Sequence, residues 1–215
     1  MDRNVSLKSR YFVKLASSGS QKEYKMNIIC IGCGGIGSYF AAHIDKLIEL
    51  KQLPEDWRFK FYDDDIVELK NILYQNFETS DIDFLKTKAL SYKYFNIAFE
   101  NKRLEYNDLN STSLVILCAD NNKIRIETWK NWEKNKIPFI DSRANGRTIG
   151  IFSHETPNYL STIDKTEKST SCQNPFQLAK KEIEYGNVIV ASILTQVVLN
   201  YSRTKRFPSD IMLNI

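Results

Sequence analysis

Residues 28–38 read I-I-C-I-G-C-G-G-I-G-S, an apolar run that ends in a glycine-rich turn, and residues 39–44 are predicted to continue as a helix. Within the turn, Gly32, Gly34 and Gly37 form the pattern G-x-G-x-x-G. Glycine there permits a tight turn, close approach of backbone N–H groups to phosphate, and close packing of helix against strand. The helix N-terminus adds unpaired N–H groups and partial positive charge. The stretch therefore predicts a nucleotide cradle, and a packing turn without a ligand is the alternative.

A second apolar patch after this turn ends in acid. Residues 59–62 are followed directly by Asp63, Asp64 and Asp65. An acidic side chain at the end of the next strand is placed to accept hydrogen bonds from ribose hydroxyls. We expect Asp64 to be solvated between two functional neighbours. The glycine pattern alone is weak evidence, and it is the order of strand, turn, helix and acid that favours nucleotide binding.

Composition limits the classes of protein that this chain can belong to. It has 215 residues, of which 42% are hydrophobic, which suits one α/β domain with a small appendage. The formal net charge is +4 with scattered lysines, so nucleic acid is not the expected partner. No apolar run reaches the ~18 residues of a membrane span, and the N-terminus lacks an apolar signal core. We therefore expect no membrane partner and a cytoplasmic location.

The four cysteines are Cys30, Cys33, Cys118 and Cys172. Cys30 and Cys33 have the spacing C-x-x-C, which invites a zinc or redox interpretation. One of them lies in a buried type of strand and the other in the glycine-rich turn, and no second C-x-x-C is present to complete a zinc site. We interpret both as structural residues of the core and the turn.

The predicted elements follow the order β-α-β-α-β-β-α-β, which specifies a doubly wound, mostly parallel α/β sheet with helices on both faces. After residue 146 a strand-like alternation over 148–152 predicts a small antiparallel C-terminal extension. The predicted strands lie at 27–31, 58–63, 102–106, 114–119 and 138–141, and the predicted helices at 37–50, 81–95, 122–135 and 175–202.

We expect three segments along the chain. Residues 1–25 form an N-terminal extension, and residues 26–150 form the nucleotide-binding core. Residues 151–215 carry a crossover-like loop and a long final helix. The apolar positions of that helix are crowded, which predicts a buried or interface helix.

Polar residues after the acidic triplet sharpen the nucleotide interpretation. Asn71 and Gln75 follow in a register that a dehydrogenase does not need. On the next predicted helix, a lysine can reach a polyphosphate; K-T-K leaves the register open between Lys86 and Lys88, and we favour Lys88. Asp120 closes an apolar strand, at the edge where parallel sheets bind ligands. Its carboxylate suits Mg²⁺, which proteins hold with one or two carboxylates plus substrate phosphates.

Taken together, these motifs resemble the ThiF/MoeB/HesA family, whose adenylating core is shared with ubiquitin-activating enzymes. The family's turn stands here as G-C-G-G-I-G (32–37), and its acidic motif as D-D-D-I-V-E-L-K-N-I-L-Y-Q (63–75). The helical lysine falls in K-T-K (86–88), and the later strand ends in C-A-D-N-N-K-I-R (118–125). The resemblance covers roughly 27–150 and implies a Rossmann-like fold.

The resemblance implies ATP and Mg²⁺ as cofactors and a ubiquitin-like or sulfur-carrier protein with a C-terminal Gly as partner. The carrier carboxylate attacks the α-phosphate of ATP, giving an acyl-adenylate and pyrophosphate. The resemblance also implies a homodimer. It assigns phosphate stabilisation to Asn71 and Lys88, and Mg²⁺ to Asp120. The implied nucleotide contacts are Gly32, Gly34, Gly35, Gly37, Asp63, Asp65, Gln75 and Lys88.

Two departures from the family pattern and two residues of open role bear on this interpretation. Tyr74 stands where the family has an arginine, so one positive charge near the phosphates is missing. Arg10 is either an arginine lent to a partner's site or a solvated residue. Cys172 lies in a polar stretch where some relatives carry a thioester- or persulfide-forming cysteine, and an incidental cysteine is the alternative. The family's zinc-binding cysteine pairs are also absent.

Two other functions remain open at this point. An NAD(P)-dependent oxidoreductase would use the same glycine cradle but would not need Asn71, Lys88 or Asp120. A non-catalytic subunit that binds a carrier protein or a nucleotide is the other, and Tyr74 is the reason to consider it.

Overall fold

A computed structural model describes residues 26–106, 109, 113–163, 179–180, 182–208 and 210–215. The sequence-based proposals for Arg10 and Cys172 lie outside these residues. The strands are β1 (Met26–Ile31), β2 (Trp57–Tyr62), β3 (Ala98–Glu100), β4 (Ser113–Leu117), β5 (Phe139–Asn145), β6 (Thr148–Ser153) and β7 (Ile211–Asn214). The helices are α1 (Gly37–Glu49), α2 (Lys86–Ser91), α3 (Asn122–Asn135) and α4 (Gly186–Thr204). Short 3₁₀ helices span Leu69–Leu73, Thr79–Asp81 and Tyr159–Thr162.

The strands form one seven-stranded sheet in the order β3-β2-β1-β4-β5-β6-β7. The first five strands run parallel, and β6 and β7 are added antiparallel. The chain crosses from β2–β3 on one side of β1 to β4–β5 on the other, so the carboxyl ends of β1 and β4 meet at a topological switch point. This confirms the predicted mostly parallel, Rossmann-like α/β sheet with an antiparallel C-terminal part.

Alternating side chains of the central strands bury both faces of the sheet. Ile28 and Cys30 belong to a cluster that includes apolar residues of α1 and α4, whereas Ile29 and Ile31 belong to a second cluster against α3. Strands buried on both faces read as continuous apolar runs, as β1 and β4 do. Helices therefore cover both faces, as predicted. Among the described residues, no helix combines the length and apolarity needed to cross a membrane.

Several predicted element bounds were wrong. The helix predicted over 81–95 is reduced to α2 because Asp83 has a positive φ of 69° and Leu85 is extended, so a helix cannot begin before Lys86. The strand predicted over 102–106 is absent from those residues, and β3 ends at Glu100 instead. The predicted start of the final helix at 175 lies outside the described residues, and α4 begins at Gly186. The predicted segment boundary at 150 falls inside β6, and the three-segment division stays a prediction.

Candidate functional site

The glycine-rich turn joins β1 to α1 at the switch point, and two of its glycines are required by packing. Gly32 has a φ of +99°, and a Cβ there would lie 3.0 Å from the backbone of Cys118 and Ala119 after β4. A Cβ on Gly37 would lie 1.9 Å from the Gly32 carbonyl oxygen. Gly37 does not line the cleft described below. It allows α1 to pack against the turn, which is a different role from the predicted ligand contact.

The turn presents backbone N–H groups in succession. Within the described residues, the N–H groups of Gly34, Gly35, Ile36 and Gly37 donate to no acceptor, while Ser38 N–H donates to the Gly34 carbonyl at 3.0 Å. The thirteen-residue α1 begins at this point. Unpaired N–H groups and the helix dipole together form a binding site for an anion such as phosphate.

A cleft of about 350 Å³ opens at this edge of the sheet, within the size range of small-molecule sites. Gly32, Gly34 and Gly35 lie on its wall, and the acidic residues after β2 and Asp120 after β4 lie on either side of them. Parallel strands thus bring together residues that are far apart in the sequence, such as Gly32 and Asp120, which are 88 positions apart.

Asp63 is held in place by backbone amides. Its Oδ2 accepts from Cys33 N at 2.6 Å, and its Oδ1 accepts from Asp65 N at 2.9 Å. Burial raises the pKa of Asp63, while the nearby Lys86 ammonium and these two amides act in the opposite direction. A carboxylate oxygen can accept more than one hydrogen bond, so both oxygens keep capacity for hydroxyl groups in the cleft.

Lys86, rather than Lys88, faces the cleft, which corrects the residue favoured from the sequence. Lys86 lines the cleft with 9% of its side chain exposed, and its Nζ donates to Asp65 Oδ2 at 2.8 Å. Burial works to lower the pKa of Lys86, but Asp63 and Asp65 raise it above the usual value, so the side chain is charged. Lys88 is exposed, with Nζ over the Phe84 and Tyr92 rings. Two positions along a helix differ by about 200° in direction, which separates the two lysines.

The segment after the acidic triplet supplies Tyr74 and Gln75 to the cleft but not Asn71. Asn71 is 3% exposed, and its Oδ1 accepts from Glu68 N at 2.8 Å, which closes the first turn of the 3₁₀ helix in that segment. Gln75 is 7% exposed, and its Oε1 has no hydrogen-bond donor among the described residues. Asn71 therefore does not line the cleft as found here, and its role in phosphate stabilisation stays a prediction.

Asp120 follows β4 at the cleft and is exposed. Its neighbour Asn121 caps α3 by accepting from Lys123 N at 2.8 Å. Arg125 holds this segment in place, since its Nη2 donates to the Ala119 carbonyl at 2.7 Å and its Nε donates to the buried Asp141 at 3.2 Å. In the described part of the chain, no three His, Cys, Asp or Glu side chains are grouped to hold a metal. A single carboxylate suits Mg²⁺ when phosphate oxygens supply further ligands.

Sequence reasoning missed the basic residues that line the cleft from other elements. Lys102 and Arg103 come from the segment after β3, and Lys123 comes from the first turn of α3. Arg103 Nε donates to Asp64 Oδ2 at 2.8 Å, so Asp64 is paired rather than simply solvated. These residues follow no recognisable spacing, and only the convergence of strand ends brings them together.

The apolar part of the cleft is formed by Leu104, Tyr106 and Ile124. The Tyr106 hydroxyl bonds Thr128 of α3, and burial raises its pKa to about 12. The phenol therefore stays neutral near pH 7. This wall offers an uncharged surface to a flat ring beside the polar strand ends.

The buried cysteines are poorly suited to reactive chemistry. Burial raises the pKa of Cys30 and of Cys33 well above the usual value, and the thiolate is therefore disfavoured. Cys118 is also buried, and its sulfur accepts from the Ser142 hydroxyl at 3.6 Å. The interpretation of Cys30 and Cys33 as structural residues agrees with this geometry.

Comparison with known proteins gives one family and a consistent set of structures. A family model described as "ThiF family" matches residues 8–209. The structure of E. coli MccB with ATP has a TM-score of 0.61 at 16% identity, covering 89% of this chain and 61% of that chain. E. coli MccB with AMPCPP and MccA gives 0.63 at 15%, covering 89% and 62%, and PaaA gives 0.59 at 17%, covering 89% and 62%. This chain thus spans about three fifths of these structures, and likeness at such identity shows the fold. No curated protein matches.

Proposed function

Because the chain belongs to the ThiF family, we propose that it is an ATP- and Mg²⁺-dependent adenylyltransferase. Its second substrate is the C-terminal carboxylate of a ubiquitin-like or sulfur-carrier protein, which it converts to an acyl-adenylate. One observation carries the proposal: a single cleft holds unpaired N–H groups, a carboxylate fixed by two amides, a charged lysine and an exposed aspartate.

The strand order suggests how ATP lies in this cleft. The base would rest on Leu104 and Ile124, and the ribose hydroxyls would donate to Asp63. The α-phosphate would then meet the N–H groups that begin with Gly34. These contacts follow the general rule that an anion binds at the helix N-terminus and ribose at the end of the second strand.

In the reaction, a carboxylate oxygen attacks the α-phosphorus. An O–P bond forms to the carrier, the bond between the α-phosphorus and the bridging oxygen breaks, and pyrophosphate leaves with the electron pair. Both reactants are anionic, so the groups that matter most are those that stabilise negative charge in the transition state. Lys86 and the turn N–H groups are these groups in this chain, and phosphate would compete with Asp65 for the Lys86 ammonium.

Asp120 would hold Mg²⁺, because it is an exposed carboxylate at the cleft and Mg²⁺ takes its remaining ligands from phosphate and water. The bound ion would neutralise charge on the departing pyrophosphate. Arg125 would keep the segment that carries Asp120 in place through its bonds to Ala119 and Asp141.

The proposal for the second substrate is based on the similarity of this chain to known proteins. One of the similar structures is that of MccB with both AMPCPP and MccA, which supports a site for a nucleotide and a second molecule. The proposal includes a carrier-type partner, a homodimer and a thioester role for Cys172.

A second candidate is a subunit that binds a nucleotide or a carrier without turnover. Tyr74 favours it, since this residue lines the cleft and bears no positive charge. The oxidoreductase alternative leaves Lys86 and Asp120 without a role.

Two measurements separate these functions. Equilibrium binding of ATP and NAD to the purified protein tests the nucleotide, and ATP–pyrophosphate exchange with small proteins that end in Gly-Gly tests turnover. We expect ATP binding, and exchange that depends on Mg²⁺ and on one such carrier and is lost in Asp120→Asn. Glu55→Gln serves as the control, since Glu55 is an exposed carboxylate before β2 that does not line the cleft.

The possible outcomes of these measurements distinguish the candidate functions. NAD binding without ATP binding would refute the adenylyltransferase. ATP binding and carrier binding without exchange across the carrier panel would favour the non-catalytic subunit.

A further inference from the structure

Asn187, in the first turn of α4, joins the glycine-rich turn to the segment that bears Tyr74. Its Nδ2 donates to the Gly35 carbonyl at 3.0 Å and to the Tyr74 carbonyl at 2.6 Å. Asn187 is 1% exposed and lies behind the cleft, whose lining includes Gly35 and Tyr74 but not Asn187. One buried amide thus forms hydrogen bonds with two segments that line the candidate nucleotide site.

The orientation of this amide is fixed by its partners. Two carbonyl oxygens lie next to Nδ2, and exchanging the amide oxygen and nitrogen would place three acceptors together without a donor. In this orientation the Asn187 Oδ1 is buried and has no donor among the described residues. An unpaired buried acceptor costs stability.

The hydrogen bond to the Gly35 carbonyl also sets the direction of the next backbone N–H, that of Ile36. The Gly35 carbonyl and the Ile36 N–H belong to the same trans peptide, so they point in opposite directions. Because the Gly35 carbonyl accepts from Asn187, which does not line the cleft, the Ile36 N–H points away from Asn187. That N–H donates to no acceptor within the described residues.

We propose that Asn187 is a positioning residue that aims the Ile36 N–H at the phosphates of ATP. The inference rests on the proposed function, since it assumes that ATP is the ligand. Asn187 itself does not touch the nucleotide. It acts through the Gly35–Ile36 peptide and, at the same time, keeps the Tyr74 segment against the turn.

The test compares ligands with and without phosphate. Equilibrium dialysis measures the Kd of radiolabelled ATP and of adenosine for the full chain, for Asn187→Ala and for Asn187→Asp. Asn187→Asp keeps the size of the side chain and removes the donor. We expect ATP affinity to fall about tenfold, the loss of one hydrogen bond to a charged group, while adenosine affinity changes less than about twofold.

Asn76→Ala is the matched control. Asn76 Nδ2 bonds the Ser38 carbonyl at 3.4 Å and the Tyr94 hydroxyl at 2.7 Å, so the variant loses comparable bonds near α1 without releasing Gly35. Its ratio of ATP to adenosine affinity should match that of the unaltered protein. A fall in both affinities by equal factors in the Asn187 variants would overturn the proposal, because it would indicate general loosening.

A measurement on the unaltered protein covers the case in which the variants do not fold. Amide resonances followed during ATP addition should show a large shift of the Ile36 N–H, and adenosine should leave it in place. If ATP shifts Gly34 and Gly35 but not Ile36, the positioning role is refuted while the proposed function stands. If ATP does not bind at all, both fall.

Discussion

Removal of the Lys86 charge is the sharpest test of the proposal that this residue binds phosphate in the cleft. In Lys86→Met the aliphatic stem remains and the ammonium is lost. The native ammonium lies 2.8 Å from Asp65 Oδ2, and the Lys86 side chain is 9% exposed, so it has little freedom to move elsewhere. Lys88→Met is the matched variant, two residues along the same helix with its ammonium outside the cleft.

The magnitude follows from two opposing contributions. A hydrogen bond from the ammonium to a phosphate oxygen contributes about 1.5–3 kcal/mol. When ATP binds, the ion pair between Lys86 and Asp65 is lost. The Asp65 side chain is 66% exposed, so that ion pair contributes at most about 1 kcal/mol. The net value is about 2 kcal/mol, or roughly a thirtyfold rise in the Kd of ATP. Exchange should fall further, by about 10²–10³, if the same charge also stabilises the transition state.

Equilibrium dialysis measures the change in the Kd of ATP, and thermal melts check that the variants are folded. The melting temperature of Lys86→Met should stay within about 4 °C of the unaltered protein, since a change of 1 kcal/mol shifts Tm by about 2–4 °C at this size. Lys88→Met should bind ATP within about twofold of the unaltered protein, because its ammonium does not reach the phosphates. Equal losses in both variants, or an unchanged Kd in Lys86→Met, would refute the assignment of Lys86.

Two further predictions concern stability. Gly37→Ala places a Cβ 1.9 Å from the Gly32 carbonyl oxygen, and this overpacking against rigid backbone should lower the urea midpoint of unfolding by an amount worth several kcal/mol. Gly34→Ala is the control, because the nearest atom to its Cβ would be 3.9 Å away, and it should unfold near the native midpoint. Similar midpoints for the two variants would contradict the close approach at Gly37. Burial lowers the pKa of His43 and of His154 below the usual 6.5, so the folded state resists their protonation and the free energy of unfolding should decrease as pH falls below about 6.5. Urea titrations from about pH 8 to about pH 5 measure this trend, and His43→Gln combined with His154→Gln should flatten it.

The local parts of the fold and site could be predicted from the sequence. The glycine turn and Asp63 are readable because each is a strand end with its own short pattern, and the order of elements then requires a parallel sheet. Asp120 could be located for the same reason. Signals of this kind depend on neighbours within one strand–turn–helix unit.

Residues whose role depends on three-dimensional convergence could not be assigned. The choice between Lys86 and Lys88 depends on where α2 begins, and the left-handed conformation of Asp83 decides this without a glycine to mark it. Arg103 enters the cleft from a segment without a pattern. Asn187 is an ordinary polar residue at a helix start, and its partners are remote in the chain.

The hydrogen bonds of Asn187 also bear on the time at which the site forms during synthesis. Its partners Gly35 and Tyr74 are 152 and 113 residues earlier in the chain. A growing chain can pair β1 with β2 and form α1 well before α4 has been made, but the peptide at the centre of the turn gains its buried support only when α4 docks. Contacts of such long sequence separation form late and slowly. If the proposed function and the positioning role of Asn187 hold, nucleotide affinity should be a property of the completed fold, and a nascent chain that ends before α4 should bind ATP weakly.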